Sequence, residues 1–88
     1  MVEKMNTIDK VREIIADIAH VKCEDLIDQV NLQEQYDLSS IDVIQMILKI
    51  EEAFGIEFSE NELDPENVKN VLTITEVVNR LLELKSIN

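Results

Sequence analysis

The scarcity of backbone breakers limits most strongly what this chain can fold into. Its 88 residues include one glycine, Gly55, and one proline, Pro65. Sheets of short strands need frequent turns, and glycine and proline usually supply them. Apolar residues recur here at spacings of three and four, as in amphipathic helices, rather than in alternation. The sequence therefore predicts an all-α fold in a single domain spanning residues 1–88.

The first predicted helix has Thr7 as its N-cap and ends at about His20. The acid Asp9 lies in its first turn, and His20 lies near its end, as the helix dipole favours. One face of this helix is apolar, with Ile8, Val11, Ile14, Ile15 and Ile18. We therefore expect this face to pack into a core.

The second predicted helix begins at Ser39 or Ser40 and ends at Phe54. Gly55 follows it, in the place where a left-handed residue often ends a helix. The helix has an apolar stripe of Ile41, Ile44, Ile47 and Leu48, widened by Val43, Met46, Ile50 and Phe54. A helix this apolar is expected to lie at the centre of the fold.

Two more helices are predicted in the last third of the chain. Asp64-Pro65-Glu66 combines an N-cap, a proline at the first helical position and an acid in the first turn, and it predicts a short third helix to about Asn70. Thr73 and Glu76 have the spacing of a capping box for a fourth helix. The apolar face of the fourth helix is Ile74, Val77, Val78, Leu81 and Leu82.

A long connection, about Val21 to Leu38, separates the first two helices. Connections of this length in compact domains are usually functional or contain structure of their own. Six of its residues are expected to hold it against the core: Leu26, Ile27, Val30, Leu32, Tyr36 and Leu38. The predicted plan is a four-helix bundle with three longer helices, one short helix and a long first loop.

Acidic residues outnumber basic ones by nineteen to eight, which gives a net charge of −11. Such a chain repels nucleic acid and anionic membranes, so neither is an expected partner, and basic protein surfaces are favoured instead. Cys23 is the only cysteine, which excludes an internal disulfide and a zinc site. No uncharged stretch reaches the length of a membrane span, and Met1–Met5 lacks an apolar signal core. We expect a cytoplasmic monomer.

Most catalytic and ligand-binding motifs are absent from the sequence. A single glycine excludes a glycine-rich phosphate loop, and no calcium-binding series of aspartates occurs. A hydrolase built on Ser40 and His20 is a weak hypothesis, because the chain has only this one histidine and no evident cleft. We therefore predict no catalytic residue and no metal site, and His20 is better explained as a helix-end residue.

The segment Leu38–Met46 resembles the attachment motif of acyl and peptidyl carrier proteins, Asp-Ser-Leu-(Asp/Glu) followed by an apolar helix. Ser40 falls on the modified serine, Ile41 on the leucine and Asp42 on the acid. Glu51–Ile56 looks like the Glu-Glu-x-Phe end of the same family's second helix. The residues Val71, Thr73 and Ile74 look like the junction before its last helix. The resemblance covers nearly the whole chain, including helix order and the long first loop.

Two residues depart from the family pattern. Ser39 replaces the usual aspartate before the modified serine, which removes a charge that a transferase uses but keeps a good helix cap. Asp37 stands where the family often has glycine, and aspartate tolerates left-handed geometry better than most residues. These departures favour a dedicated pathway carrier over the housekeeping carrier of fatty acid biosynthesis.

The resemblance implies that a phosphopantetheinyl transferase attaches 4'-phosphopantetheine to Ser40. The thiol of the arm then holds an acyl or aminoacyl group as a thioester for biosynthetic enzymes, in lipid metabolism or a related pathway. Asp42, Gln45 and Glu52 are expected to share a helix face that binds basic surfaces of these partners.

Two alternatives and one question stay open at this point. The first alternative is an acidic helical interaction module that is never modified. The second is a small hydrolase that uses Ser40. The cargo, whether fatty acyl, amino acid, polyketide or sugar-linked acyl group, is selected by an enzyme that this sequence does not encode.

Overall fold

The computed structural model describes residues 6–87, and within them it contains four α-helices and no strand. The helices are α1 (Thr7–Ala19), α2 (Leu32–Tyr36), α3 (Ser40–Phe54) and α4 (Val71–Ile87), with a 3₁₀ turn at Cys23–Asp25. The predicted all-α class is confirmed. None of these helices is both long and apolar enough for a membrane span. Residues 1–5, where the sequence shows no signal core, lie outside the described part.

The core lies where α1 packs against both α3 and α4. It is built almost entirely from aliphatic side chains, which leaves the fold without a single dominant aromatic anchor. The side chains with almost no solvent exposure are Val11, Ile15, Leu32, Met46, Ile50, Val71, Ile74, Val77 and Val78. Burial of each such side chain stabilises the fold by about 1.5–3 kcal/mol before conformational entropy is included.

The ends of α1 differ in part from the prediction. Its N-cap is Asn6 rather than Thr7, and the Asn6 side chain makes no capping hydrogen bond. The amide of Lys10 donates to the Asn6 carbonyl at 3.1 Å, which brings Thr7 inside the helix. At the other end His20 is exposed and left-handed (φ 60°), so it is a helix-end residue as expected.

The short helix of the bundle lies in the first connection, residues 20–39, and not where the sequence placed it. It is α2, whose N-cap Asn31 accepts a hydrogen bond from the Glu34 amide at 3.0 Å. Of the six predicted anchors, the three leucines are buried: Leu26, Leu32 and Leu38. Val30 and Tyr36 are half-buried, but Ile27 is 46% exposed and the prediction for it was wrong.

The predicted short helix over 64–70 is wrong, because this part of the second connection, residues 55–70, contains only turns. Amides of Asn67 and Val68 donate to the carbonyls three residues earlier, at 2.8 and 3.3 Å. The Asp64 carboxylate accepts from the Glu66 amide at 2.9 Å, a local bond that competes with helix formation. A seven-residue helix is also too short to repay the cost of its nucleus without a strong apolar face.

Helix α4 begins three residues earlier than predicted, and its cap is Asn70 with Thr73 rather than Thr73 with Glu76. The Asn70 side chain accepts from the Thr73 amide at 2.8 Å, and the Thr73 hydroxyl accepts from the Asn70 amide at 3.2 Å. Asparagine is a stronger N-cap than threonine. The earlier start also brings Val71 into the core, where it is fully buried.

The apolar stripe predicted for α3 is only partly in the core. Met46, Ile47 and Ile50 are buried, as expected. Three other members of the predicted stripe are more than half exposed: Ile41, Ile44 and Leu48. Ile41 and Ile50 are nine residues apart, which is two and a half helical turns, so they lie on opposite sides of the helix. The helix is apolar on its outer face as well as its inner one.

Candidate functional site

The chain enters α3 through a turn that fixes where the helix starts. Asp37 is left-handed (φ 54°, ψ 46°), as predicted for the place where the family often has glycine. Leu38 follows and is buried, which holds the turn against the core. Ser39 is extended (φ −79°, ψ 170°), and Ser40 is the first residue of the helix. The two serines thus occupy different backbone environments although they are neighbours.

A complete capping box closes the start of α3. The Ser39 hydroxyl accepts from the Asp42 amide at 3.1 Å, and the Asp42 carboxylate accepts from the Ser39 amide at 3.0 Å. The two bonds satisfy amides that a helix start otherwise leaves unpaired. Ser39 is therefore the N-cap of this helix, and its hydroxyl is engaged.

Ser40 is exposed and takes no part in the capping box. Its neighbour Ile41 is also exposed, at 67%. Because Ser40 is at the first helical position, it lies at the positive end of the helix dipole. An accessible hydroxyl in this setting can accept a phosphoryl-linked group without rearrangement of the fold.

The three residues predicted to bind partners differ in their surroundings. Gln45 and Glu52 are exposed, and their spacing of seven residues puts them on the same side of α3. Asp42 is half-buried, and its carboxylate is held by the capping box. It also lies about 15 Å along the helix axis from Glu52, since each residue adds 1.5 Å. The three therefore do not form one local cluster.

The outer face of α3 is apolar in its middle. Ile41, Ile44 and Leu48 are exposed at spacings of three and four residues, and Gln45 and Glu52 lie along the same side. We call the three apolar residues the outer stripe. Exposed apolar side chains that are contiguous on one face usually mark a binding surface.

An apolar cavity of about 290 Å³ lies between α3 and the second connection. Ile44 and Leu48 belong to both the outer stripe and the cavity wall, and Leu63 closes the cavity from the second connection. The complete lining is Val43, Ile44, Ile47, Leu48, Glu51, Leu63 and Val68. Glu51 is its one charged residue, and this carboxylate accepts from the Phe58 amide at 2.7 Å. The lining is otherwise suited to an apolar ligand.

The arrangement needed for a serine hydrolase is absent. Among residues 6–87, no hydrogen bond joins Ser40 to His20, which instead ends α1. Within this same range of residues, no group of three or more histidine, cysteine or acidic side chains is placed to hold a metal ion.

Comparison with known proteins decides the family. Residues 9–81 match the family model described as the phosphopantetheine attachment site. The chain belongs to the acyl carrier protein family. The acyl carrier protein of Rubrobacter xylanophilus is 26% identical over 92% of this chain and 94% of that protein. The acyl carrier protein of Lactobacillus acidophilus is 32% identical over 72% of this chain and 76% of that protein.

A solved structure agrees with this assignment. The acyl carrier protein from Enterococcus faecalis superposes with a TM-score of 0.69 at 25% identity, over 85% of this chain and 92% of that one. As an acyl carrier protein, the chain is a carrier and not an enzyme, and its cofactor is a covalent 4'-phosphopantetheine. It presents thioester-linked acyl groups, and it interacts with a phosphopantetheinyl transferase and with the enzymes of its pathway.

The exposed hydroxyl at the start of α3 fits this cofactor. Two further features of the site, the outer stripe and the cavity, were not predicted from the sequence. The outer stripe was assigned to the core, although the nine-residue offset between Ile41 and Ile50 already indicated two apolar faces. The cavity has no such signal, because Val68 lies in the stretch that was predicted to be helical and Leu63 lies just before it.

Proposed function

We propose that Ser40 carries the 4'-phosphopantetheine arm of this acyl carrier protein. The observation that supports this most is the contrast between the two serines. The Ser39 hydroxyl accepts a hydrogen bond within the capping box, whereas Ser40 is exposed outside it. Position along the helix thus separates two hydroxyls that have the same intrinsic chemistry.

The start of α3 is also suited to the charge of the attached group. The capping box uses the amides of Ser39 and Asp42. Among the described residues no acceptor is found for the amides of Ser40 and Ile41, which lie beside the hydroxyl. Unpaired amides and the positive dipole end favour a phosphodiester anion at this place. When bound, the arm supplies a thiol that holds the acyl group as a thioester.

The role of Ser40 in loading is that of an acceptor. Its oxygen forms the new bond to the phosphorus of the phosphopantetheine. The phosphoanhydride bond of coenzyme A breaks, adenosine 3',5'-bisphosphate leaves, and the hydroxyl proton passes to a base of the transferase. None of these events needs a catalytic group from the carrier.

We further propose that partner enzymes bind the outer face of α3. The outer stripe gives an apolar centre, with Gln45 and Glu52 along the same side. A net charge of −11 favours partners with basic surfaces and speeds their association, in a salt-sensitive way. The same self-repulsion between copies favours a monomer, and a cytoplasmic location is the setting that we propose.

An apolar acyl chain is the cargo that the cavity best supports. Its walls are aliphatic except for Glu51, whose carboxylate is already bonded to a backbone amide. A free amino acid on the arm would bring an ammonium group, which is costly to place in such a lining. We therefore favour acyl over aminoacyl cargo in a dedicated pathway.

Incubation with coenzyme A and a broad-specificity phosphopantetheinyl transferase tests the attachment site. Intact-mass spectrometry should show one phosphopantetheine added to the parent and to Ser39→Ala, but none added to Ser40→Ala. The Ser39 variant should lose about 0.5–2 kcal/mol of stability, because it loses an N-cap. Addition to Ser40→Ala would contradict the proposed site. An unmodified parent would favour the acidic interaction module. Intact mass of the protein from its native host would identify the cargo.

A further inference from the structure

We infer that Asp42 is a positioning residue for loading of Ser40: it acts through the capping box and not through its charge on the transferase. This inference rests on the proposed function of Ser40. The sequence assigned Asp42 to a partner-binding face together with Gln45 and Glu52. The structure gives it a different set of contacts from those two residues, which are exposed.

The contacts of Asp42 are internal to the helix start. Its carboxylate accepts from the Ser39 amide at 3.0 Å, and its own amide donates to the Ser39 hydroxyl at 3.1 Å. Asp42 is also half-buried, whereas both Ser39 and Ser40 are exposed. The bond ties one oxygen of the Asp42 carboxylate to the backbone at the helix start, which holds the side chain in the first turn.

The capping box acts on Ser40 because Ser40 lies between its two members. The reciprocal bonds fix Ser39 in its extended conformation and Asp42 in the first turn. The backbone of Ser40 is thereby held at the first helical position. Without these bonds the first turn frays, since a helix start depends on its cap for order. A frayed turn presents the hydroxyl in many orientations, and reactions that depend on orientation then slow.

Three substitutions of Asp42 separate this role from a charge contact. Asp42→Asn keeps an oxygen that accepts from the Ser39 amide but removes the charge, and Asp42→Ala removes both. Asp42→Glu keeps a carboxylate, and glutamate is common at this position of a capping box. If Asp42 acts by position, the Asn and Glu variants should load at about the parent rate, and the Ala variant should load more slowly.

The protein itself offers a matched control. Asn70 and Thr73 form the same reciprocal cap at the start of α4, with bonds of 2.8 and 3.2 Å. Asn70→Ala breaks a cap of the same kind on another helix, and Asn70 is 9% exposed, so its loss should destabilise the fold at least as much. A general loss of stability would therefore slow loading in this control too.

The experiment measures kcat and KM for loading by one transferase with coenzyme A, well below the melting temperature of every variant. We expect Asp42→Ala to lower kcat about 2- to 30-fold. This is the factor by which the loss of an N-cap changes the equilibrium between an ordered and a frayed helix start. KM for the carrier should change less. For Asp42→Asn and Asp42→Glu, kcat should stay within about twofold of the parent value. Asn70→Ala should load at the parent rate. The loading rates of all these variants should depend on salt as the parent's does.

A second measurement uses Ser39→Ala, which removes the other member of the cap. Because both residues act as a unit, the double variant should load no more slowly than either single variant. Two results would overturn the inference. In the first, Asp42→Asn loads as slowly as Asp42→Ala, both variants have a raised KM, and their loading depends less on salt than that of the parent. In the second, Asp42→Ala loads at the parent rate. In either case the loaded parent still supports Ser40 as the site. A parent that is never loaded overturns the proposed function and this inference together.

Discussion

The two connections between the long helices have nearly the same charge but different structures. The first connection, residues 20–39, and the second, residues 55–70, each contain five acids and one lysine. Yet the first contains a 3₁₀ turn and the helix α2, whereas the second contains only turns. Acidity therefore does not decide which of them becomes ordered secondary structure.

The difference lies in how each connection is attached to the core. Leu26, Leu32 and Leu38 bury the first connection at six-residue intervals, and the Tyr36 hydroxyl accepts from the Ile27 amide at 3.1 Å. In the second connection the buried apolar side chains, Ile56 and Phe58, lie at its beginning, and Leu63 is 47% exposed.

Beyond Phe58 the second connection is held mainly by polar bonds. The Glu62 carboxylate accepts from Ser59 and lies 3.8 Å from Arg80 of α4. The Lys69 carbonyl accepts from the Leu32 amide at 2.8 Å, where the two connections meet. Distributed apolar anchors thus give the first connection a fixed path, while the second depends on carboxylates and is the part next to the apolar cavity.

The largest expected effect comes from removal of an apolar anchor. Leu32 is 1% exposed, so Leu32→Ala should lower the free energy of unfolding by about 2–5 kcal/mol, including the cavity that it leaves. Ile27→Ala, in the same connection but 46% exposed, is the matched control and should change it by less than about 0.5 kcal/mol. Urea denaturation measures both. Equal losses would mean that the leucines are not what holds this connection.

The next effect concerns the ion pair that attaches the first connection to α1. Arg12 of α1 pairs with Asp28 and also donates to the Cys23 carbonyl at 2.5 Å, and both charged side chains are half-buried. Arg12→Met keeps much of the apolar stem and should cost about 1–3 kcal/mol, the usual value for lost hydrogen bonds to charged groups.

Lys10→Met is the control for Arg12, because Lys10 pairs with Glu13 on the exposed side of the same helix. Its loss should be below about 0.5 kcal/mol, as is usual for exposed ion pairs. Denaturation and amide exchange of residues 23–28 report the two variants. An Arg12→Met variant as stable as the control would show that the leucines alone order the connection.

The same contrast explains what could be predicted from the sequence. The three long helices follow from apolar periodicity, and α3 ends at Gly55, which is left-handed as predicted (φ 65°). A side chain there would also meet Lys85, whose ammonium donates to the Gly55 carbonyl at 2.9 Å. Where apolar residues are few, the prediction depends on capping signals alone, and these do not ensure that a helix forms. At Asp64 an aspartate and a proline indicated a helix, but no buried face stabilises one.

The site was predictable to the extent that it is local. The capping of α3 by Ser39, the first helical position of Ser40 and the left-handed Asp37 all depend on neighbours in sequence. The spacing of Asp42 from Ser39 is that of a capping box, and the structure confirms that the Asp42 carboxylate is engaged in one. The cavity wall contributed by Leu63 depends on tertiary packing of an irregular segment, for which the sequence has no period to read.

The smallest expected effect tests the carboxylate that holds the second connection. Hydrogen bonds from the side chain and then the backbone of Ser59, with a further contribution from Arg80, lower the pKa of Glu62 from its ordinary value of 4.5. A carboxyl group with a lowered pKa in the fold stabilises it above the unfolded-state value, and this contribution is lost as pH falls through the folded-state value. Glu62→Gln should therefore loosen the second connection at pH 7, and the difference from the parent should shrink as pH falls below the ordinary pKa of 4.5 and through the lowered pKa of the fold.

Amide exchange of residues 59–68 in the parent and in Glu62→Gln, followed from pH 7 to pH 3 with correction for intrinsic rates, measures this difference. Glu60→Gln is the matched control, since Glu60 is an exposed acid of the same segment. The control should follow the parent at every pH. If Glu62→Gln does so too, the carboxylate does not hold the second connection. The burial of Ile56 and Phe58 would then be enough to fix its path, and the two connections would be held in the same way.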